Sequence, residues 1–79
     1  MNARSSLQLS CFDGDECIVY FEPWGTEHVL TREDHFRIET DALAKGAVEI
    51  SVVSGGISVC VSSEDEIRIV NKSGTVLPI

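Results

Sequence analysis

This sequence is poor in basic residues and in long apolar runs, and each shortage excludes a class of protein. Six Lys and Arg residues face thirteen Asp and Glu residues, which gives a formal net charge of −7 over 79 residues. Phosphate backbones repel such a surface, so we expect no nucleic-acid partner. No apolar run approaches the roughly 20 residues of a membrane-spanning helix, so we expect no membrane partner either.

Cysteine is scarce as well. The three cysteines are Cys11, Cys17 and Cys60, an odd number without the dense, paired spacing of a small secreted disulfide scaffold. Residues 1–6 are polar, so we expect no secretion signal there. These features predict reduced thiols and a cytoplasmic location. We also expect a single β domain over residues 1–79, in which residues 1–6 are flexible.

Two-residue alternation is the strongest pattern in the chain. Apolar residues take every second position on both sides of the step Ser54-Gly55-Gly56, at Val48, Ile50, Val52, Ile57, Val59 and Val61. Successive side chains of a strand point to opposite faces, so this pattern predicts a β-hairpin with one apolar face. Glycine supplies the positive φ angle that a tight hairpin turn needs.

Further short strands are predicted over residues 7–11, 17–21, 27–30, 35–40, 67–70 and 75–77, separated by turn residues. Residues 41–46 form the one helix-like piece, with Asp41 as a candidate cap and Gly46 as its end. We therefore predict an all-β fold, a small antiparallel sandwich or partly open barrel of seven to eight short strands. The predicted core is Leu9, Ile18, Tyr20, Phe36, Ile38, Val48, Ile50, Val52, Ile57, Val59, Val61, Ile67 and Ile69.

The run Cys-Ile-Val-Tyr-Phe at residues 17–21 is apolar at every position. Such a run is typical of a strand that is covered on both faces, by the domain core on one side and by a second subunit on the other. Val53 and Val70 also interrupt the polar faces of their strands. Because a 79-residue chain buries little surface by itself, these features predict a homo-oligomer, most simply a dimer.

The polar residues between positions 22 and 39 are the place to look for chemistry. His28 and His35, with Glu27 or Glu39, could supply two imidazoles and a carboxylate to a divalent metal, as in a small cupin-like enzyme or metal-binding protein. The His-x-His pairing of cupin sites is absent, and His35 alternates with apolar residues, so two solvent-facing histidines are the preferred interpretation. There is no phosphate-binding glycine loop or serine nucleophile elbow, and we expect no catalytic residue and no cofactor.

A non-catalytic binding or assembly module is thus the preferred function. Trp24, Tyr20 and Phe21 are its partner-binding candidates, because aromatic residues are enriched at interface hot spots; the alternative for Trp24 is a ring that closes one end of the core. The acidic clusters at residues 13–16 and 64–66 are either solvated loop tips or contacts for a basic protein partner. A ligand-binding barrel is a third, weaker alternative.

One stretch resembles a known pattern. The step Glu22-Pro23-Trp24-Gly25, followed by Leu30, the turn at residues 31–34 and Phe36-Arg37-Ile38, is similar to a pattern in small uncharacterised bacterial all-β proteins. In that pattern the turn often carries Gly-Asp, whereas Glu33 stands here in place of the glycine. The resemblance implies an independent β domain and no known activity.

Overall fold

The computed structural model describes residues 5–12, 14–62 and 64–79. The predicted flexibility of residues 1–6 therefore lies mostly outside the described residues, and Ser6 begins the first strand. In these described residues, eight strands form two four-stranded sheets that pack as a β-sandwich, which confirms the all-β prediction.

The strands are numbered in the order in which they occur along the chain. They are β1 Ser6–Ser10, β2 Glu16–Glu22, β3 Thr26–Thr31, β4 His35–Glu39, β5 Val48–Val53, β6 Gly56–Val61, β7 Arg68–Asn71 and β8 Val76–Leu77. Sheet 1 has the order β1-β4-β7-β8, and sheet 2 has the order β3-β2-β6-β5. The β5–β6 hairpin is the one predicted from alternation, and its turn is Ser54-Gly55, with Gly55 at φ 81°.

One pair of strands departs from the predicted antiparallel arrangement. β2 and β6 run parallel, and Gly56 lies beside Ile18. A Cβ atom on Gly56 would sit 1.8 Å from the Ile18 carbonyl oxygen, so the strands can approach here only where the side chain is absent. The two glycines thus have different roles. Gly55 forms the turn, and Gly56 allows β6 to pair closely with β2 in sheet 2.

The core lies between the sheets and confirms part of the predicted list. Five predicted residues are buried, namely Phe36, Ile38, Val59, Val61 and Ile69, and four others pack half-buried against them, namely Leu9, Val48, Ile57 and Ile67. The prediction is wrong for β2, where Val19 and Phe21 are fully buried while Ile18 and Tyr20 lie on the opposite face. In a run without alternation, the pattern of apolar residues does not determine which face turns inward.

The helix-like piece is a single 3₁₀ turn, Asp41–Leu43. Its cap is Thr40 and not the predicted Asp41: the Ala42 amide donates to Thr40 Oγ1 at 3.2 Å. Thr40 is fully buried, so this hydrogen bond satisfies its hydroxyl in the interior. Gly46 ends the turn as predicted, with φ 68° and its amide donating to the Leu43 carbonyl.

The cysteine prediction is wrong for two of the three residues. Cys11 and Cys17 form a disulfide between the end of β1 and the start of β2, with Cα atoms 5.9 Å apart, while Cys60 keeps a free, exposed thiol. The chain reverses between the two sheets at this point, which brings the two residues together despite the odd count. Reduced thiols therefore no longer support a cytoplasmic location, and that location stays a prediction. Within the described residues, no helix is long and apolar enough to cross a bilayer.

Candidate functional site

The interior of the sandwich is closed along the side where β3 faces β8. His28 of β3 hydrogen-bonds through Nε2 to the carbonyl oxygen of Pro78, just beyond β8, at 2.6 Å. The same ring lies edge-on to Phe21 of sheet 2 and Phe36 of sheet 1, with centroid distances of 6.0 and 6.2 Å. His28 therefore joins the two sheets and does not extend freely into solvent. The sequence analysis had preferred a solvent-facing side chain at this position.

The opposite side, where sheet 1 ends at β1 and sheet 2 ends at β5, is open. Ser10 from β1 and Val52 from β5 line the same cleft, which has a volume of about 400 Å³. Cys17, Leu30 and Ile57 line it as well, so the cleft leads from solvent to apolar side chains of the interior.

The apolar row of β5 is left largely uncovered at this open side. Val48, Ile50 and Val52 pair with Val61, Val59 and Ile57, so all six residues lie on the core-facing side of sheet 2. Val48 is half-buried, but Ile50 is 44% exposed and Val52 is 89% exposed. The prediction that Ile50 and Val52 belong to the core is wrong, because β5 is the outermost strand and extends past the cover that sheet 1 provides.

The outer face of sheet 2 carries a second apolar surface. Ile18, Tyr20, Val29 and Val53 occupy it, and we call these four residues the outer patch. Val29 is 53% exposed, and the other three are partly exposed. Val70, which was also expected at a surface, is buried and contributes nothing to an interface.

Glutamates surround the outer patch. Strand register places four of them on the same outer face, namely Glu16, Glu22, Glu27 and Glu49. The strands of sheet 2 contain no lysine or arginine, and none of these four carboxylates has an ion pair within the described residues. Sequence reasoning predicted a second apolar face for the run at residues 17–21 but missed the glutamates around it, although Glu16 and Glu22 at either end of β2 mark the even-numbered positions of that strand as its solvent side.

The three predicted partner-binding aromatics lie in three different environments. Tyr20 is on the outer patch, and Trp24 is half-buried and packs against the core from the turn after β2, as its alternative interpretation stated. Phe21 is fully buried between the sheets, so it cannot meet a partner and the prediction for it is wrong. That turn contains a cis Glu22–Pro23 bond and closes with the Gly25 amide donating to the Phe21 carbonyl.

The proposed metal ligands are not brought together. His28 is on the inner face of sheet 2 and Glu27 is on its outer face, while His35 and Glu39 are on the outer face of sheet 1. Glu39 pairs instead with Arg37 at 3.1 Å and Arg68 at 3.6 Å. In the part of the chain that the structure describes, no three His, Cys, Asp or Glu side chains are close enough to hold a metal ion.

The second acidic cluster is partly engaged by the protein itself. Asp65 accepts a hydrogen bond from Lys45 Nζ at 2.7 Å, and this hydrogen bond and the carboxylate charge raise the pKa of Lys45. The first cluster includes position 13, which lies outside the described residues. The exposed thiol of Cys60 lies between Glu22 of β2 and Glu49 of β5, which pair with it on the two neighbouring strands.

Comparison with known proteins identifies no relative: no protein-family model, no curated protein and no solved structure matches this chain. The resemblance built on the Glu22–Gly25 step therefore stays a prediction. Two exposed apolar surfaces bear on the function, namely the row on β5 and the outer patch.

Proposed function

We propose that this protein is a non-catalytic assembly module that forms a homodimer by pairing β5 with β5 of a second copy. The observation that carries the proposal is the exposure of Val52 (89%) and Ile50 (44%) on the core-facing side of an edge strand. Large apolar side chains in such a row lose contact with water when a second copy covers them, and this burial favours association.

β5 is the edge best suited to pairing. An unprotected edge presents free backbone donors and acceptors that attract another strand, and charged residues or prolines normally guard it. β5 has six residues, four of them apolar, and its one charged residue is Glu49. Of the other edges, β8 has two residues, β3 is joined to the opposite sheet through His28, and β1 alternates leucines with serine and glutamine.

The sequence of β5 complements itself best in the register centred on Ile50. A two-fold axis perpendicular to the sheet requires one residue to face its own copy. An axis at Glu49 would oppose two carboxylates, which is unfavourable. An axis at Ile50 places Val48 opposite Val52 of the second copy and Glu49 opposite Ser51, so apolar residues meet apolar residues and no like charges meet.

The size of the chain supports the same conclusion. A chain of 79 residues buries a modest fraction of its surface on folding, and its core stops short of one edge. Pairing through β5 would join the two copies of sheet 2 into one eight-stranded sheet and bring the two open sides together. The function of such a module is to bind and to assemble.

Hydrogen exchange followed residue by residue tests the pairing. We expect the outward-facing β5 amides to exchange slowly at high protein concentration and faster on dilution, while amides at the β1 edge show no concentration dependence. Fast, concentration-independent exchange along β5 would overturn the proposal. Slow exchange that responds to an added peptide, and not to protein concentration, would indicate a different occupant of the edge.

A further inference from the structure

The outer patch contains a depression with one charged end. Tyr20 and Val53 stand on either side of it, Ser58 lies between them, and Glu22 lies at one end. Its volume is about 370 Å³, and its lining is more apolar than polar. The depression forms because β6 carries small residues at this level, with Ser58 beside Tyr20 and Gly56 beside Ile18.

The shape and charge of this depression select one kind of side chain. Lysine and arginine have an apolar stem and a cationic head, and they bury the stem along apolar surface while the head meets an acceptor. The stem fits between Tyr20 and Val53, and the head reaches the Glu22 carboxylate. The ring of Tyr20 also attracts a cation placed over its face.

The charges around the depression point to the same occupant. None of the five basic residues in the described part of the chain lies within a strand of sheet 2: Arg37 and Arg68 are on the outer face of sheet 1, Arg32 is in the turn after β3, and Lys45 and Lys72 are in turns. Within the described residues, the four glutamates on the outer face of sheet 2 therefore have no ion-pair partner. They attract a basic partner and slow the approach of an acidic one.

A second copy of this chain does not suit the same face. Stacking two outer faces would bring four glutamates against four glutamates, in a protein that already carries a net charge of −7. Like charges at such close range oppose association unless cations lie between them. The two apolar surfaces thus have different occupants, the β5 row a second copy and the outer patch a basic protein segment.

We propose that the outer face of sheet 2 is a binding site for a basic protein segment, whose lysine or arginine side chain enters the depression between Tyr20 and Val53 and pairs with Glu22. Apolar residues of the segment lie on Ile18 and Val29, and further basic residues meet the surrounding glutamates. The site lies on the outer face of sheet 2, to which β5 contributes Val53, whereas the dimer uses the backbone edge and the core-facing row of β5, so the site does not require the dimer.

A titration followed by two-dimensional NMR tests the site with defined probes. The probe is a short capped peptide of alternating lysine and valine, and the controls are the same peptide with glutamate for lysine and a lysine–serine peptide of equal charge. We expect the lysine–valine peptide to shift the amide signals of Tyr20, Val53 and Ser58, and to bind more tightly than either control. Shifts centred on another face would overturn the proposal.

Variants separate a specific ion pair from general attraction between opposite charges. Glu22→Gln should weaken peptide binding about tenfold or more, because a charge-assisted hydrogen bond is lost. Glu16→Gln removes the same charge from the same face of the same strand, outside the depression, and should weaken binding much less. Equal losses in the two variants would contradict a defined site.

A further variant tests the shape of the site at constant charge. Ser58→Val fills the depression and suits a strand, so the fold should be retained and peptide binding should fall about tenfold. Unchanged binding in a folded Ser58→Val protein would overturn the proposed depression. Because dimerisation rests on the β5 edge, Ser58→Val and Glu22→Gln should leave the dimer dissociation constant unchanged, which separates this proposal from the previous one.

Discussion

Replacing Val52 by lysine should break the homodimer without unfolding the chain. Val52 is 89% exposed in the single chain, so its own fold gains little from it, whereas pairing through β5 would bury it in both copies. Fully burying a valine side chain is worth about 1.5 kcal/mol at the lower end, hence about 3 kcal/mol per dimer. Since 1.4 kcal/mol is a factor of ten, the dissociation constant should rise about 100-fold.

The lysine substitution also excludes overall charge repulsion between two copies as the cause of a weaker dimer. The chain carries a net charge of −7, so Val52→Lys lowers the overall repulsion between two copies, and any weakening must arise at the interface itself. Sedimentation equilibrium over a range of protein concentrations gives the dissociation constant, with a single chain at 8.6 kDa and a dimer at twice that mass. Urea denaturation of the same variant verifies that the fold is retained.

Val76→Lys is the matched control for this experiment. Val76 is an exposed valine in β8 of sheet 1, 50% exposed, and the substitution makes the same change in charge. Its effect on the dissociation constant should stay within about twofold, since distant sites act independently. If Val52→Lys associates as tightly as the wild-type protein, or if the two variants weaken the dimer equally, the pairing of β5 is refuted.

Three further substitutions test the account of the fold. Gly56→Ala places a Cβ atom 1.8 Å from the Ile18 carbonyl oxygen and should lower the free energy of unfolding in urea by about 3 kcal/mol or more. Thr40→Val removes the cap of the 3₁₀ turn while keeping the branched shape, and should cost about 1 kcal/mol in the same measurement. Asp65→Asn should return the pKa of Lys45 toward its ordinary value, as followed by NMR titration of the Lys45 side chain. Because the pKa of Lys45 is raised in the folded state, its contribution to stability is present below the ordinary lysine pKa and is lost as the pH rises through the raised value.

Each of these substitutions has a control in the same chain. Ser58→Ala changes β6 next to Gly56 without adding an atom, and Thr75→Val changes an exposed threonine that caps no helix, so both should alter stability by less than about 0.5 kcal/mol. Glu64→Gln removes a lesser contributor to the raised pKa of Lys45 and should lower it less than Asp65→Asn does. Equal effects of a substitution and its control would show that the named contact is not responsible.

Alternation was sufficient to predict the hairpin and much of the core. Val59 and Val61 are buried because every second residue of β6 faces sheet 1, and Phe36 and Ile38 follow the same rule on β4. These strands each have one polar face, so the direction of their side chains is determined locally. The class of fold follows from the number and spacing of such segments.

Three features depended on information that a local pattern does not contain. Residues 17–21 of β2 are all apolar, so alternation within this run could not show that Val19 and Phe21 face inward, and the glutamates at the ends of the strand held the missing signal. The face of β5 that points inward was predicted correctly. Whether sheet 1 covers that face depends on how far sheet 1 extends, and Ile50 and Val52 remain exposed because it does not reach them. The disulfide required the chain reversal between β1 and β2, which an odd cysteine count obscures.

The native thiol of Cys60 provides the most direct test of β5 pairing. Cys60 lies opposite Glu49 on the strand next to β5, and it is the one cysteine outside the disulfide. The Ile50-centred register separates the two Cys60 Cα atoms by three strand spacings and an offset of two residues, about 16 Å. Pulsed electron paramagnetic resonance on a nitroxide-labelled Cys60 should therefore give a short intermolecular distance that disappears when labelled protein is diluted with unlabelled protein. An absence of intermolecular coupling at high protein concentration, or a distance far longer than this register allows, would contradict the account.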